Sequence, residues 1–455
     1  MTDNSSEAST TTLRRTLGLS GVVIIGIAWV TPLIVLATFG IIAQLSAGAA
    51  PTAYLITLLA MLFTAYSYGR MASVHYQSAG SAYTYVGREM GPRLGFLTGW
   101  VILLDYFFIP LVVWLIGAAY LSAQFPSVPT AVWILASIII TTALNVIGIK
   151  VTAQANYLLV AFQLLVLGIF VALSIAYFVG ADTGASLTSP FVNQDLTLGA
   201  LASGAAVAAY SYIGFDGLTL LTEETHDPRR TIPRAMIIVV LFFGALFVGV
   251  SYFAQLVHPG GTFEDVNSAA LELAKTVGGN LFSSFLLAGL IVGQFASGLA
   301  IQAGAARLLF AMGRDGALPR GLSYVLPRLR TPVISITLIG ITGLGAMFLD
   351  VTTSTSFINF GAFSAFTLVN ISVIVHFVRD RPASGAGAIL GWVVAPIAGA
   401  VIDFYLLLNL DGRDKVIDVI WLVLGVGWLA WLTRGFREAP PQLSIDEGAT
   451  TSEGQ

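Results

Sequence analysis

The strongest constraint on this chain is the recurrence of long apolar runs. Twelve of them fall at 20–45, 51–70, 95–123, 128–148, 154–179, 199–222, 233–257, 281–310, 331–349, 353–377, 387–408 and 416–433. Each approaches or exceeds the roughly 20 residues that a helix needs to cross a bilayer core. Only 10% of the 455 residues are charged, against about 25% in an ordinary soluble domain. So few charges cannot cover a water-facing surface, and lipid is the expected solvent. In hydrocarbon every backbone polar group must be bonded internally, and runs of this length achieve that as helices. The expectation is an all-α integral membrane protein with twelve transmembrane helices. The first run is too long for a signal-peptide core and lacks a small-residue cleavage site after it.

Charge along the connectors predicts orientation. If the N-terminus is cytoplasmic, 18 of the 21 lysines and arginines fall on cytoplasmic segments and only Lys275, Arg413 and Lys415 fall outside. That asymmetry fits the positive-inside rule and supports an even number of spans. The expected location is the inner cell membrane, multi-pass, with both termini cytoplasmic. Residues 1–19 read as a polar tail, and 438–455 as a second, disordered tail. The outer segment 262–279, "TFEDVNSAALELAKTVGG", is too polar to span; its helical spacing and Gly278–Gly279 predict a short amphipathic helix serving as a lid or a plain cap.

Two spans carry helix-breaking text at similar depth. The first contains "GIAWVTP", Gly26 to Pro32; the sixth contains "IGFDG", Ile213 to Gly217. The two are offset by five spans. That is the spacing of two inverted five-helix repeats, spans 1–5 (20–179) and 6–10 (199–377), with two extra helices at 387–434. Interrupted helices at matching positions point to a substrate site, because freed amides and carbonyls then line a cavity. The plainer alternative is a pair of kinks.

Carboxylates within membrane helices are costly and mark candidate sites. Asp105 lies near the middle of the third span, and Asp216 lies at the break of the sixth. For Asp105, binding of substrate or a proton competes with a role as a fixed hydrogen-bond partner. Asp216 is expected at the site or gate, where the broken helix offers amides to its charge. Asp403, in the eleventh span, is expected to be structural or water-facing. Trp29, Tyr106, Tyr210, Tyr212 and Phe215 cluster near the breaks and would suit an amine through cation–π contact, with packing as the alternative. Ser297 and Gln302, in a span rich in small residues, could face the same cavity. After the sixth span, Glu223 and Glu224 would pair with Arg70 or Arg314 to close a cytoplasmic gate; a solvated charged loop is the alternative.

The remaining composition excludes other classes. There are no cysteines, and the four histidines lack metal-ligand spacing, so no metal or other cofactor is expected. No basic, aromatic-laced patch suggests nucleic acid. A membrane enzyme would need a clustered nucleophile or metal set, and a channel would need a filter; neither pattern is present.

Three stretches carry a family resemblance: "YQSAGSAYTYVGREMGPRLGFLTGW" after the second run, "GFDG" followed by "EETHDPRRTIPRA", and "GAARLLFAMGRDGALP" after the eighth. Over about residues 13 to 438 the chain resembles the amino acid–polyamine–organocation transporters. It is most similar to the bacterial putrescine importers, through "TFG" at Thr38–Gly40, "LLDY" at Leu103–Tyr106, "GFDG" at Gly214–Gly217 and "INFGA" at Ile358–Ala362. The resemblance implies the inverted-repeat fold, alternating access and substrate contact by the backbone around Gly26, Ile27 and Ala28 and around Ile213 and Gly214. Three departures stand out. Helix 1 reads Gly26–Ile27–Ala28 where many members have Gly-Ser-Gly. Ala37 stands where putrescine importers have an acid, which favours an amino acid or a monoamine over a diamine. Gln163 stands where some proton-coupled members have lysine, which leaves H+ or Na+ open as the coupling ion. The expected function is a secondary active importer of an amino acid or polyamine, ion-coupled or exchanging. The alternatives are a putrescine-specific importer and a transport-inactive nutrient sensor of the same fold.

Overall fold

The computed structural model describes residues 15–76, 81–148, 153–180, 186–314, 316–329, 331–410 and 415–440. Most of the two predicted tails falls outside them. Among the described residues, eleven helices are long and apolar enough to cross a membrane, and a twelfth, Val333–Met347, is shorter. They follow the order of the twelve apolar runs. The first span is Leu19–Ala37, built of α1 (Leu19–Val30) and α2 (Ile34–Ala37), and continued by α3 (Phe39–Leu45). Next come α4 (Ala50–Val74), the amphipathic connector α5 (Ala82–Met90), α6 (Pro92–Gln124), α7 (Thr130–Ile147) and α8 (Ala153–Gly180). The sixth span begins with α9 (Leu198–Ala208). It is followed by α10 (Pro228–Val257), α11 (Ala269–Arg314), α12 (Val333–Thr342), α13 (Val351–Asp380), α14 (Ala386–Ile389), α15 (Ala395–Leu408) and α16 (Lys415–Leu432).

Burial ranks these spans from centre to periphery. The apolar window of α6 is 72% buried and that of α16 only 17%, so the third span is an axis of the bundle and the twelfth faces lipid. Small residues set the closest approaches, as expected where apolar side chains gain nothing by leaving lipid. Gly69 of α4 lies against Pro233 of α10, and Gly244 of α10 against Leu58 of α4. The start of α10 departs from the sequence reading. Its first turn forms at Pro228, where a missing N–H costs nothing, so Pro233 lies inside the helix. Pro233 therefore donates no bond to the carbonyl of Arg229, and the Ser73 hydroxyl donates to that carbonyl instead, at 2.9 Å.

The predicted outer helix forms and runs into the eighth span, with the backbone turning at Gly279 (φ 65°). This segment sits on α3: Phe263 meets Phe39 edge-on at 5.9 Å, and a Cβ on Gly40 would strike Val266 and Ala269.

Candidate substrate site

Both expected interruptions are present, but the first is displaced. Helix α1 continues through Gly26, Ile27 and Ala28 and ends at Val30; the backbone then turns at Thr31 (φ 63°, ψ 97°). Proline disfavours helical geometry in the residue before it, so Pro32 rather than Gly26 sets the break. Gly26 instead lets α1 approach Val239 and Leu218. The groups freed by the turn are taken up by neighbouring spans. The Leu33 amide donates to Gln163 Oε1 on α8 at 3.2 Å, and Thr31 Oγ1 lies 3.1 Å from Ser297 Oγ on α11. The Tyr120 hydroxyl of α6 reaches the Leu36 and Ala37 carbonyls at 3.2 and 3.3 Å.

In the sixth span, α9 tightens into a 3₁₀ turn over Ala209–Tyr212, and Ile213 is extended (ψ 134°). Gly214 then takes φ 119°, and a second 3₁₀ turn covers Asp216–Leu221. The Gly214 conformation is one that side-chain-bearing residues rarely adopt. The amide it frees donates to Asp216 Oδ1 at 3.3 Å. The carboxylate between two glycines is thus held by main chain that the break itself releases.

The two interruptions meet. A Cβ on Gly214 would lie 3.3 Å from the Trp29 carbonyl carbon, and one on Gly217 would lie 3.1 Å from the Trp29 ring. Trp29 is 42% exposed, whereas Tyr210 and Phe215 are buried. Phe215 packs on Phe366 and Tyr68 at centroid distances of 5.5 and 6.2 Å, and Tyr212 packs edge-on to Phe247 at 5.1 Å. These rings are core packing in this conformation, so Phe215 and Tyr212 do not form an open cage. The recess beside the first break, between Thr31, Leu33, Ala37 and Gln294, is too tight to admit water.

Asp105 is buried against α13, where any Cβ on Gly361 would overlap its carboxylate; its Oδ1 has no hydrogen-bond partner among the described residues. It lies within electrostatic range of Asp216, as does half-buried Tyr106. Asp403 is fully buried, which overturns the water-facing option; it accepts from Thr64 at 2.7 Å and Asn370 at 3.0 Å. Gln302 is also removed from the cavity. It donates to Thr142 and accepts from Asn145, joining α11 to α7.

At the arginine-rich face the two broken spans are stitched together. The Glu224 carbonyl accepts from the Thr16 and Leu17 amides, both at 2.9 Å, and the His226 amide donates to the Leu17 carbonyl at 2.8 Å. Arg70 donates through Nε to the Tyr66 hydroxyl at 2.9 Å and stacks over Trp392. Glu223 is half-buried, and Arg314 is exposed at the end of α11.

A cluster that sequence reading missed lies nearby. Glu89 Oε1 is 2.8 Å from His75 Nε2 and 3.1 Å from His376 Nδ1, and Glu89 Oε2 is 2.7 Å from Arg379. Burial alone would raise the Glu89 carboxyl, but His75, His376 and Arg379 outweigh it and hold it below its ordinary value. No local motif announces partners 287 residues apart.

With this geometry in place, likeness to known proteins becomes informative. Residues 15–430 match the amino acid permease family. The chain belongs to that family. It is 38% identical over 437 residues to the low-affinity putrescine importer PlaP of Escherichia coli K12, covering 94% of this chain and 96% of that one. It is 27% identical to the branched-chain amino acid permease BcaP of Bacillus subtilis 168, covering 91% and 92%, and 28% identical to the methylthioribose transporter of the same organism, covering 92% and 94%. The permease is therefore a transporter and not an enzyme, a membrane protein whose relatives carry small metabolites, amino acids and putrescine among them.

Proposed function

We propose that this permease imports an amine-bearing metabolite, an amino acid or a polyamine, by alternating access. The substrate binds where the first and sixth spans are interrupted, with Trp29, Tyr106, Tyr210, Ile213 and Gly214 around it and Phe215 packed behind them. Asp216 and Asp105 supply negative charge to an ammonium group. One observation carries this reading: Gly214 and Gly217 lie directly on Trp29, so main chain freed in both halves opens onto one point. The closed recess beside Thr31 corresponds to an occluded state, and rocking of one bundle about this point would open it. The two five-span units are 20–179 and 199–377. The arginine-rich face is cytoplasmic, because lysine and arginine are concentrated in the alternate connectors that the positive-inside rule assigns to that side. A cytoplasmic gate formed by Glu223 and Glu224 with Arg70 or Arg314 is part of this reading; the Leu17–Thr225 bridge, which joins the two broken spans next to Glu224, supports it. Transport is driven by H+, by Na+ or by exchange.

The likeness to a putrescine importer favours a diamine; Ala37, where such importers have an acid, favours a single ammonium group. Uptake by reconstituted protein separates them. Amino acids, monoamines and putrescine are compared across pH with and without sodium. Saturable uptake of an amine-bearing compound is expected. Uptake of putrescine alone would establish the narrower reading, and absence of any uptake with retained ligand-dependent stabilisation would make the protein a sensor.

A further inference from the structure

Three span ends converge at the arginine-rich face on a cavity of about 680 Å³. Its walls carry Arg70 and Ser73 from α4, Asp227, Arg229 and Arg230 from the start of α10, and Trp392 from the eleventh span. The cavity shares no lining residue with the proposed substrate point. We infer that it binds a phosphate-bearing anion at the membrane–water interface.

Charge is the first argument. Three guanidinium groups face one carboxylate, and that carboxylate is engaged only loosely, at 3.9 Å from Arg230. Arg70 and Arg229 have no acidic partner among the described residues. A cavity carrying this surplus of positive charge favours an anion.

Preorganisation is the second. Arg70 is held between two aromatic rings, its Cζ 5.0 Å from the Tyr66 centroid and 4.7 Å from the Trp392 centroid. Its Nε and Nη2 are directed at the Tyr66 hydroxyl. The guanidinium plane is therefore fixed before any ligand arrives, which reduces the ordering cost of binding. Arg229 and Arg230 stand in the first turn of a 30-residue helix, where the helix dipole also favours an anion; the Arg230 and Thr231 amides are already taken by the Asp227 carbonyl, so the side chains carry the recognition. The Ser73–Arg229 hydrogen bond pins that turn to α4, so the two walls hold a constant separation.

Ligand class follows from geometry. Planar guanidinium groups pair with oxyanions in two-point fashion, which halide cannot match, and the several oxygens of a phosphate can serve more than one of the three arginines at once. The volume falls within the roughly 300–1,000 Å³ of small-ligand pockets. Arginines and a tryptophan at the ends of spans lie at headgroup depth. Phosphate chemistry can therefore come from an acidic phospholipid or from a dissolved phosphate ester.

The test uses the full-length protein in neutral detergent at constant ionic strength, with the thermal midpoint as readout. Short-chain phosphatidylglycerol, short-chain phosphatidylcholine and inorganic phosphate are titrated separately. Phosphatidylglycerol is expected to raise the midpoint saturably and phosphatidylcholine to leave it unchanged. In an Arg229→Gln, Arg230→Gln double variant the apparent affinity should fall roughly five-fold for each arginine removed. Arg229→Lys with Arg230→Lys should retain part of it. Both side chains are exposed, so the fold should survive. A saturable response to inorganic phosphate, lost in the same double variant, assigns the site to a dissolved phosphate. No saturable response to either anion, or a response unchanged in the glutamine variant, overturns the inference.

Discussion

Asp216 and Asp403 solve the same problem in different ways. Each is a carboxylate inside an apolar span, where an unpartnered charge would be strongly unfavourable. Asp403 sits in a continuous helix and is served by side chains, Thr64 of α4 and Asn370 of α13. Asp216 sits where the helix is abandoned and is served by main chain, the amide of Gly214. The first arrangement ties three spans together inside fully buried packing, although Asp403 Oδ1 has no hydrogen-bond partner among the described residues. The second leaves polar backbone beside half-exposed Trp29. A buried acid whose partners are side chains in regular helices is accounted for by packing, whereas one set in broken main chain, as Asp216 is, is not.

The largest effect that would break this contrast is at Gly214. Gly214→Val places a branched side chain at φ 119° and against the Trp29 backbone. Holding that geometry would cost on the order of 1–3 kcal/mol, and uptake should be abolished while the protein still inserts in the membrane. Normal uptake would show that the break is incidental.

Substitution at the two acids sharpens it. Asp403→Ala leaves the Thr64 and Asn370 donors without their acceptor. That should destabilise the fold by about 1–3 kcal/mol, read as a lower thermal midpoint, with substrate KM preserved. Asp216→Asn should do the reverse, raising KM or stopping uptake with little change in thermal midpoint. The opposite pattern would exchange their roles.

A smaller effect is expected at Gln163. Gln163→Leu leaves the Leu33 amide unpartnered at the first break. Reduced uptake with a modest loss of stability, ~1 kcal/mol, is predicted; Gln163→Glu keeps the acceptor and should restore uptake if only the hydrogen bond matters. The smallest effect is a pH dependence outside the core. The Glu89 carboxyl lies below its ordinary value of 4.5. Its stabilisation is complete above that value and is lost as pH falls through the lowered one. Thermal midpoints measured from neutral into acid should therefore drop in the wild type and drop less in Glu89→Gln.

Much of this was legible along the chain. Twelve apolar runs and the placement of arginines specify a twelve-helix membrane protein because lipid imposes one rule on every segment. The Gly214 break was legible because two glycines flank an acid. The first break falls at Thr31, inside the stretch Gly26–Pro32, because Pro32 disfavours helix in the residue before it; Gly26–Ile27–Ala28, where the resemblance puts it, stays helical. Partners across the bundle were not legible. Asp105 against Gly361, Gln302 with Asn145 and Thr142, and Glu89 among His75, His376 and Arg379 depend on how helices rotate against each other. Hydrophobic periodicity is weak in helices that are apolar all round, so nothing local fixes those rotations.

The central claim is that Trp29 stands at the point where substrate meets both interrupted spans. The chain contains no cysteine, so Trp29→Cys introduces a unique thiol whose reaction with a maleimide can be timed directly. Saturating transported substrate should slow that reaction markedly, while a non-transported analogue should not. A labelling rate indifferent to substrate, in a variant that still binds it, would contradict the account.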